Sequence, residues 1–136
     1  MSLDLFREDL DKHSLGSPCY VNQMTFFVRR IGTKEVQAEF KDIRERLYGL
    51  FPKPDEVIES EILANWLAYK GVIGWDNVTD DEDGEPLEFT PTFARQLFLN
   101  KAYWLSLNQV LINHATNFEN YLCDQAYDDS EELKKN

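Results

Sequence analysis

The chain has 136 residues, a formal net charge of −11 and 43% hydrophobic residues, including 9 Phe, 6 Tyr and 3 Trp. That length suits one domain, and the apolar fraction supports a real core rather than a disordered chain. The acidic balance repels phosphate groups, and no apolar run approaches the roughly 18–20 residues that a bilayer span needs, so neither a nucleic-acid nor a membrane partner is expected.

The first residues, Met-Ser-Leu-Asp-Leu-Phe-Arg-Glu-Asp, carry acids where a signal peptide has an apolar stretch, which points to a soluble protein of the cell interior. Residues 1–19 read as a flexible lead-in: a short helix over 4–12, with Leu3, Phe6 and Leu10 spaced 3 and 4 apart, then the breakers Gly16 and Pro18. Residues 20–31 are rich in β-branched and aromatic types and read as one strand ending at Gly32. Thr33 is the expected N-cap of a helix whose apolar stripe is Val36, Phe40, Ile43, Leu47 and Leu50. Pro52 ends that helix, and Pro54 opens the next, which runs to about residue 70 and buries Ile58, Ile62, Trp66 and Tyr69, with Leu63 and Leu67 widening the stripe. Gly71 and Gly74 release the chain into a hairpin, with short strands at 75–78 and 86–89 across a turn at Asp83-Gly84. Thr90 as N-cap and Pro91 at the first helical position start a helix that Asn100 stops. A last helix of roughly 25 residues carries Trp104, Leu107, Leu111, Ala115, Phe118 and Leu122 at helical spacing. The fold class is therefore mainly α with a small β component, an N-terminal strand and a short hairpin, in a single globular domain over 20–127. Residues 128–136 form an acidic frayed tail.

The chemistry-bearing residues are sparse. Cys19 and Cys123 are too few for a disulfide framework or a zinc site and read as reduced thiols. The acidic run around Gly84 invites a calcium-loop count. With Gly84 at the sixth position, Thr79 falls at the first and Thr90 at the twelfth, where carboxylates are required. His13 and His114 lie in different elements and read as packed or half-exposed side chains, and no nucleophile or phosphate-loop motif is present. No catalytic, cofactor-binding or metal-binding residue is assigned, and no enzyme activity is expected. What stands out is charge and aromatic content. Residues 76–88 hold seven carboxylates (Asp76, Asp80, Asp81, Glu82, Asp83, Glu85 and Glu88) and no Lys or Arg. The functional reading is an acidic patch for a basic partner; the plainer one is a solvated loop. Trp66 and Trp104 are expected in the core, with Trp75 partly buried at an element boundary. The apolar stripes are wide for so few helices, which suggests protein–protein contact and a homo-oligomer.

The chain resembles the tail assembly chaperones of long-tailed bacteriophages over roughly residues 24–125. The resemblance lies in the early Phe27-Val28-Arg29-Arg30-Ile31-Gly32-Thr33 and in Gly74-Trp75-Asp76-Asn77-Val78. It continues through the acidic Asp-Gly turn into Glu85-Pro86-Leu87-Glu88-Phe89-Thr90-Pro91 and a terminal helix carrying Phe118. It implies a protein that is not an enzyme and needs no cofactor. Such a protein binds the tape-measure protein in the bacterial cytoplasm, helps tail-tube subunits assemble around it, and is not retained in the mature virion. It also implies a longer frameshifted form, and Lys134-Lys135-Asn136 is a tripeptide that a slippery codon run can encode. Residues 1–19 have no counterpart in the resemblance. The rival reading is an acidic phage-encoded inhibitor that mimics nucleic acid and blocks a host DNA-binding protein. Against it, the charge is concentrated in one loop instead of being spread along helices.

Overall fold

A computed structural model describes residues 3–49, 56–79 and 84–124. The expectations for Leu50, Pro52 and Pro54, for most of the acidic turn and for the tail over 128–136 lie outside the described residues. Among the described residues no helix is long and apolar enough to cross a membrane.

The architecture is mixed, mainly helical, around a three-stranded antiparallel sheet. Ser17–Val21 (β1) pairs with Met24–Val28 (β2), and Val72–Asp76 (β3) adds to the other side of β2. Strand alternation turns Phe26 and Val28 to one face, where both are fully buried. Phe26 lies opposite Trp75 across the β2–β3 ladder, and their rings meet edge-on at 6.2 Å. The single strand expected over 20–31 is thus two strands: the chain reverses at Asn22-Gln23, with Asn22 at φ 56°. Asparagine tolerates the left-handed region, so the turn forms without glycine.

The expected lead-in contributes to this fold. Leu10–Leu15 (α1) is capped by Asp9, whose carboxylate accepts from the backbone of Asp11 and Lys12. The boundary expected after residue 19 falls inside β1, where Ser17 and Cys19 are buried. Gly16 is required at the junction: at φ 87°, a Cβ there would lie 2.9 Å from the Phe27 carbonyl carbon.

Lys34–Tyr48 (α2) begins where expected, its N-cap Thr33 accepting from the Val36 amide. Val36 is buried, Phe40 and Ile43 pack against the core, and Leu47 is left exposed. Glu56–Trp66 (α3) buries Ile62, Ala64 and Trp66, and runs into a π-helical turn over Leu67–Gly71. A π turn inserts one residue into the helical count, which rotates everything after it. Hence Leu67 and Ala68 are buried, and Tyr69, expected inside, is exposed. Gly71 follows from the same turn, since a Cβ there would sit 2.5 Å from the Trp66 ring.

The hairpin expected at 75–89 is corrected. β3 pairs with β2, and the return segment is held by an isolated Thr79–Pro86 bridge and by the Leu87 amide donating to the Val78 carbonyl at 2.7 Å. Pro91–Phe98 (α4) has the expected Thr90 cap and Pro91 start. The long terminal helix is also corrected. Leu107–Thr116 (α5) is followed, after Asn117, by a 3₁₀ turn over Phe118–Tyr121. Asn117 caps that turn by accepting from the Glu119 amide, a local bond that competes with helix continuation. Trp104 precedes α5 and is only half-buried, while Tyr121, outside the expected stripe, is fully buried.

Candidate partner-binding groove

Two helices carry apolar side chains that the core covers only in part. On α4, Ala94 and Phe98 point inward and are fully buried. A second stripe, Phe93, Gln96 and Leu97, continues to Asn100 at steps of 3, 1 and 3 and faces outward into a groove. On α5, Leu111 and Ala115 seal the core, while Leu107 and Val110 face the same groove. Met24 and Phe26 of β2 form its sheet side, and Val78, Thr79 and Leu87 form one end. Its volume is about 720 Å³, open to solvent, and among the described residues no charged side chain lines it. Phe93 and Val110 are 37% and 44% exposed, a partial exposure that a partner surface would complete.

The groove walls are fixed by polar contacts beneath them. The Trp75 indole donates to the Leu87 carbonyl at 2.8 Å, and its ring meets Phe89 edge-on at 4.9 Å. Trp75 is therefore a buried anchor that ties the segment after the acidic run to the sheet, deeper than its boundary position implied. Phe98 ends α4 with a carbonyl that accepts from both the Trp104 indole and the Asn108 amide, at 3.1 and 2.9 Å. These bonds hold the α4–α5 connection at a set distance from the sheet. Of the two cations nearest in sequence, Arg95 stacks on Tyr69 and Lys101 on Trp104, at 5.6 and 5.8 Å from the ring centroids.

The remaining candidate residues fall elsewhere. Trp66 lies in the core, its indole donating to Glu39 at 3.0 Å, and Glu39 in turn grips the buried Arg29 guanidinium at 2.9 and 3.1 Å. His13 and His114, distant in sequence, both meet the Tyr121 ring edge-on, at 6.1 and 6.0 Å. His114 also shares a hydrogen bond with Ser17 at 3.1 Å; burial lowers its pKa, and the Ser17 contact opposes that in part. Tyr121 donates to the Val28 carbonyl at 2.9 Å, and burial raises its pKa above the ordinary tyrosine range. Cys19 is buried and Cys123 partly so, both as free thiols, and burial raises the Cys19 pKa. Of the Asp83-Gly84 turn, Gly84 is exposed at φ 69° and Asp83 lies outside the described residues. Among the described residues no three His, Cys, Asp or Glu side chains converge as a metal site.

The sequence showed surplus apolar stripes but not where they meet. The signal was present in α4, whose apolar positions 93, 94, 97 and 98 make two adjacent stripes where a core needs one. Compared with known proteins, the chain matches no family model, no curated protein and no solved structure.

Proposed function

We propose that this chain is a tail assembly chaperone of a long-tailed bacteriophage, which holds apolar helical segments of the tape-measure protein until tail-tube subunits assemble around them. The observation that carries the proposal is the groove between β2, α4 and α5, lined among the described residues by uncharged, mostly apolar side chains in a strongly acidic protein. A holdase needs both properties: apolar surface to cover a client, and net charge to keep the complex dispersed. Helix-in-groove binding is a recurrent way to satisfy the first. The resemblance carried by Trp75-Asp76-Asn77-Val78 and by Glu85 to Pro91 supplies the client class. In this reading the protein acts in the bacterial cytoplasm, performs no catalysis, self-associates as a dimer or ring, and leaves before the virion matures.

Co-expression tests the proposal. A tape-measure protein from the same gene cluster should be insoluble alone and soluble, co-eluting with this chain, when both are made. A tape-measure protein equally insoluble with and without the chain would refute the reading.

A further inference from the structure

We infer that residues 3–15 form a hinged strap, closed over the Tyr121 corner by polar contacts and able to open as a unit while the sheet core stays shut. It lies in a different part of the molecule from the groove and does not depend on the chaperone reading. Five large apolar side chains lie on this segment, Leu3, Leu5, Phe6, Leu10 and Leu15, and all five are exposed. Neither of its helical turns contains a buried residue, so apolar burial contributes little to its docking. What holds it is polar. The Glu8–Leu122 bridge is flanked by two reciprocal main-chain bonds: the Asp9 amide donates to the Tyr121 carbonyl, and the Cys123 amide to the Arg7 carbonyl, each at 2.8 Å. Lys12 Nζ donates to the Leu122 carbonyl at 2.9 Å and pairs with Asp124 at 2.8 Å. Glu8 pairs with Arg30 and lies 3.4 Å from His13, whose ring meets Tyr121 edge-on.

The two sides of this contact are unequal. Tyr121 is fully buried and its hydroxyl is tied to the Val28 carbonyl, so the segment that receives the strap is anchored in the core. On the strap side, burial begins only at Ser17, one residue past Gly16. Gly16, at φ 87° and close against the Phe27 backbone, is thus the hinge between an exposed segment and a buried strand. A segment tied by a few hydrogen bonds and by ion pairs with exposed partners opens at far lower cost than one sealed by side chains. Because the Asp9 and Cys123 bonds flank the same bridge and run in opposite directions, one opening breaks both. Opening also dismantles a cavity of about 510 Å³, lined by Leu5 and Phe6 of the strap and by Pro18, Phe118 and Leu122 of the body. It uncovers the Tyr121 ring on the side where His13 lies against it. Salt biases the balance, since the Asp124 side chain is 84% exposed and that of Glu8 44%, and ions screen both pairs.

Amide hydrogen exchange on the full-length chain at fixed pH tests the inference. After correction for intrinsic rates, the Asp9 and Cys123 amides should exchange within about threefold of each other. Both should be at least about tenfold faster than the Arg29 and Ile31 amides, which donate to the Gly71 and Ala115 carbonyls in the core. Raising the salt from about 0.02 M to about 0.5 M should speed Asp9 and Cys123 about threefold and leave Arg29 and Ile31 as they were. Lys12→Met, which removes the charge at a half-buried position, should speed the same two amides about threefold at low salt, again without touching the core pair. Asp9 and Cys123 amides as slow as Arg29 and Ile31 would mean that the strap opens only with the whole fold, and would overturn the inference. So would rates for Asp9 and Cys123 more than about tenfold apart, the pattern of two chain ends fraying separately. Rates indifferent to both salt and Lys12→Met would overturn it as well, since the ionic contacts would then not hold the strap. The first two outcomes are read from the unaltered protein, so neither depends on how Lys12→Met folds.

Discussion

The two sides of α4 and α5 differ in a way that composition does not show. Inward, Ala94, Phe98, Leu111 and Ala115 are completely sealed; outward, Phe93, Leu97, Leu107 and Val110 are equally apolar in type yet remain partly open. A helix that only stabilises its own domain needs one apolar stripe. The second stripe is only partly covered, with Leu97 and Leu107 resting against the edge of the core and Phe93 and Val110 more open, so substitutions should separate the two sides. The largest effect belongs to the sealed core that those inward faces close over. Trp66→Ala should cost about 3–5 kcal/mol, because the ring is fully buried, packs on Phe40 at 5.1 Å and loses its bond to Glu39. Trp104→Ala should cost well under half of that, since the ring is only half-buried. Denaturant melts of the two variants check this contrast between a sealed and a half-open ring, and Phe98→Ala against Val110→Ala carries it to the two sides of α4 and α5, where equal losses would erase the distinction.

Glu39→Ala sharpens the same comparison by a different mechanism. Glu39 is the nearer carboxylate partner of buried Arg29 and also the acceptor for Trp66, so its removal leaves the indole N–H without its acceptor and the guanidinium with only the Lys70 carbonyl and the more distant, exposed Glu35. Stripping a buried pair of one partner costs about 3–5 kcal/mol when the other charge is left uncompensated, and the remaining contacts of Arg29 place the expected loss below that range. Glu39→Gln, which keeps an oxygen for the indole, should recover part of the loss in thermal midpoint. If both variants melt like the parent, the pair is only a surface ornament.

Local signals were the most legible part of the sequence. Thr33, Thr90 and Pro91 begin helices where their capping chemistry places them, and Ile62 and Trp66 face the core at the spacing read from the chain. The misreadings share a cause: each is a phase change too small to alter composition. At Asn22-Gln23 a two-residue reversal hides inside a continuous β-rich run, because asparagine supplies the positive φ without glycine. At Leu67–Gly71 the π turn moves Tyr69 out of the stripe and Ala68 into it. At Asn117 a side-chain cap interrupts a stripe that numerically continues to Phe118 and Leu122. The groove was less legible than the fold, since it depends on tertiary placement of Leu87 beside α4 and α5, which the Trp75 indole bond, the Leu87 amide on the Val78 carbonyl and the Thr79–Pro86 bridge fix together.

The π turn gives an intermediate test. Gly71→Ala sets a methyl group against Trp66 at 2.5 Å, within a turn whose backbone also serves Arg29: the Gly71 carbonyl accepts from the Arg29 amide at 2.8 Å. The ring has no free direction in a sealed core, so overpacking should cost about 1–3 kcal/mol. A thermal midpoint unchanged by Gly71→Ala would mean that the turn relaxes freely and that its phase shift is not fixed by the Trp66 contact.

The smallest expected effect concerns pH, at the corner where α1, β1 and the 3₁₀ turn after α5 meet. His114 touches Ser17 and Tyr121 there; His13 lies on the other side of Tyr121, with Glu8 and Arg30 beside it. Burial lowers the His114 pKa, so between its ordinary value near 6.5 and the lower folded value the unfolded chain binds more protons than the folded one. Stability from this group is therefore complete above about pH 6.5 and is lost as pH falls through the folded value. Tyr121 and Cys19 work in the opposite direction. Their raised pKa values keep stability complete below the ordinary values of 10.0 and 9.0 and remove it as pH climbs beyond them. Thermal midpoints measured from pH 5 to pH 10.5 should fall at both ends. His114→Gln should flatten the acid limb alone, and Tyr121→Phe should flatten the alkaline limb while lowering the plateau by the loss of its bond to the Val28 carbonyl. An acid limb with the same slope in His114→Gln as in the parent would assign that limb to the carboxylates, and the corner would then hold the N-terminal segment through contacts that do not titrate there, such as the Asp9 amide on the Tyr121 carbonyl.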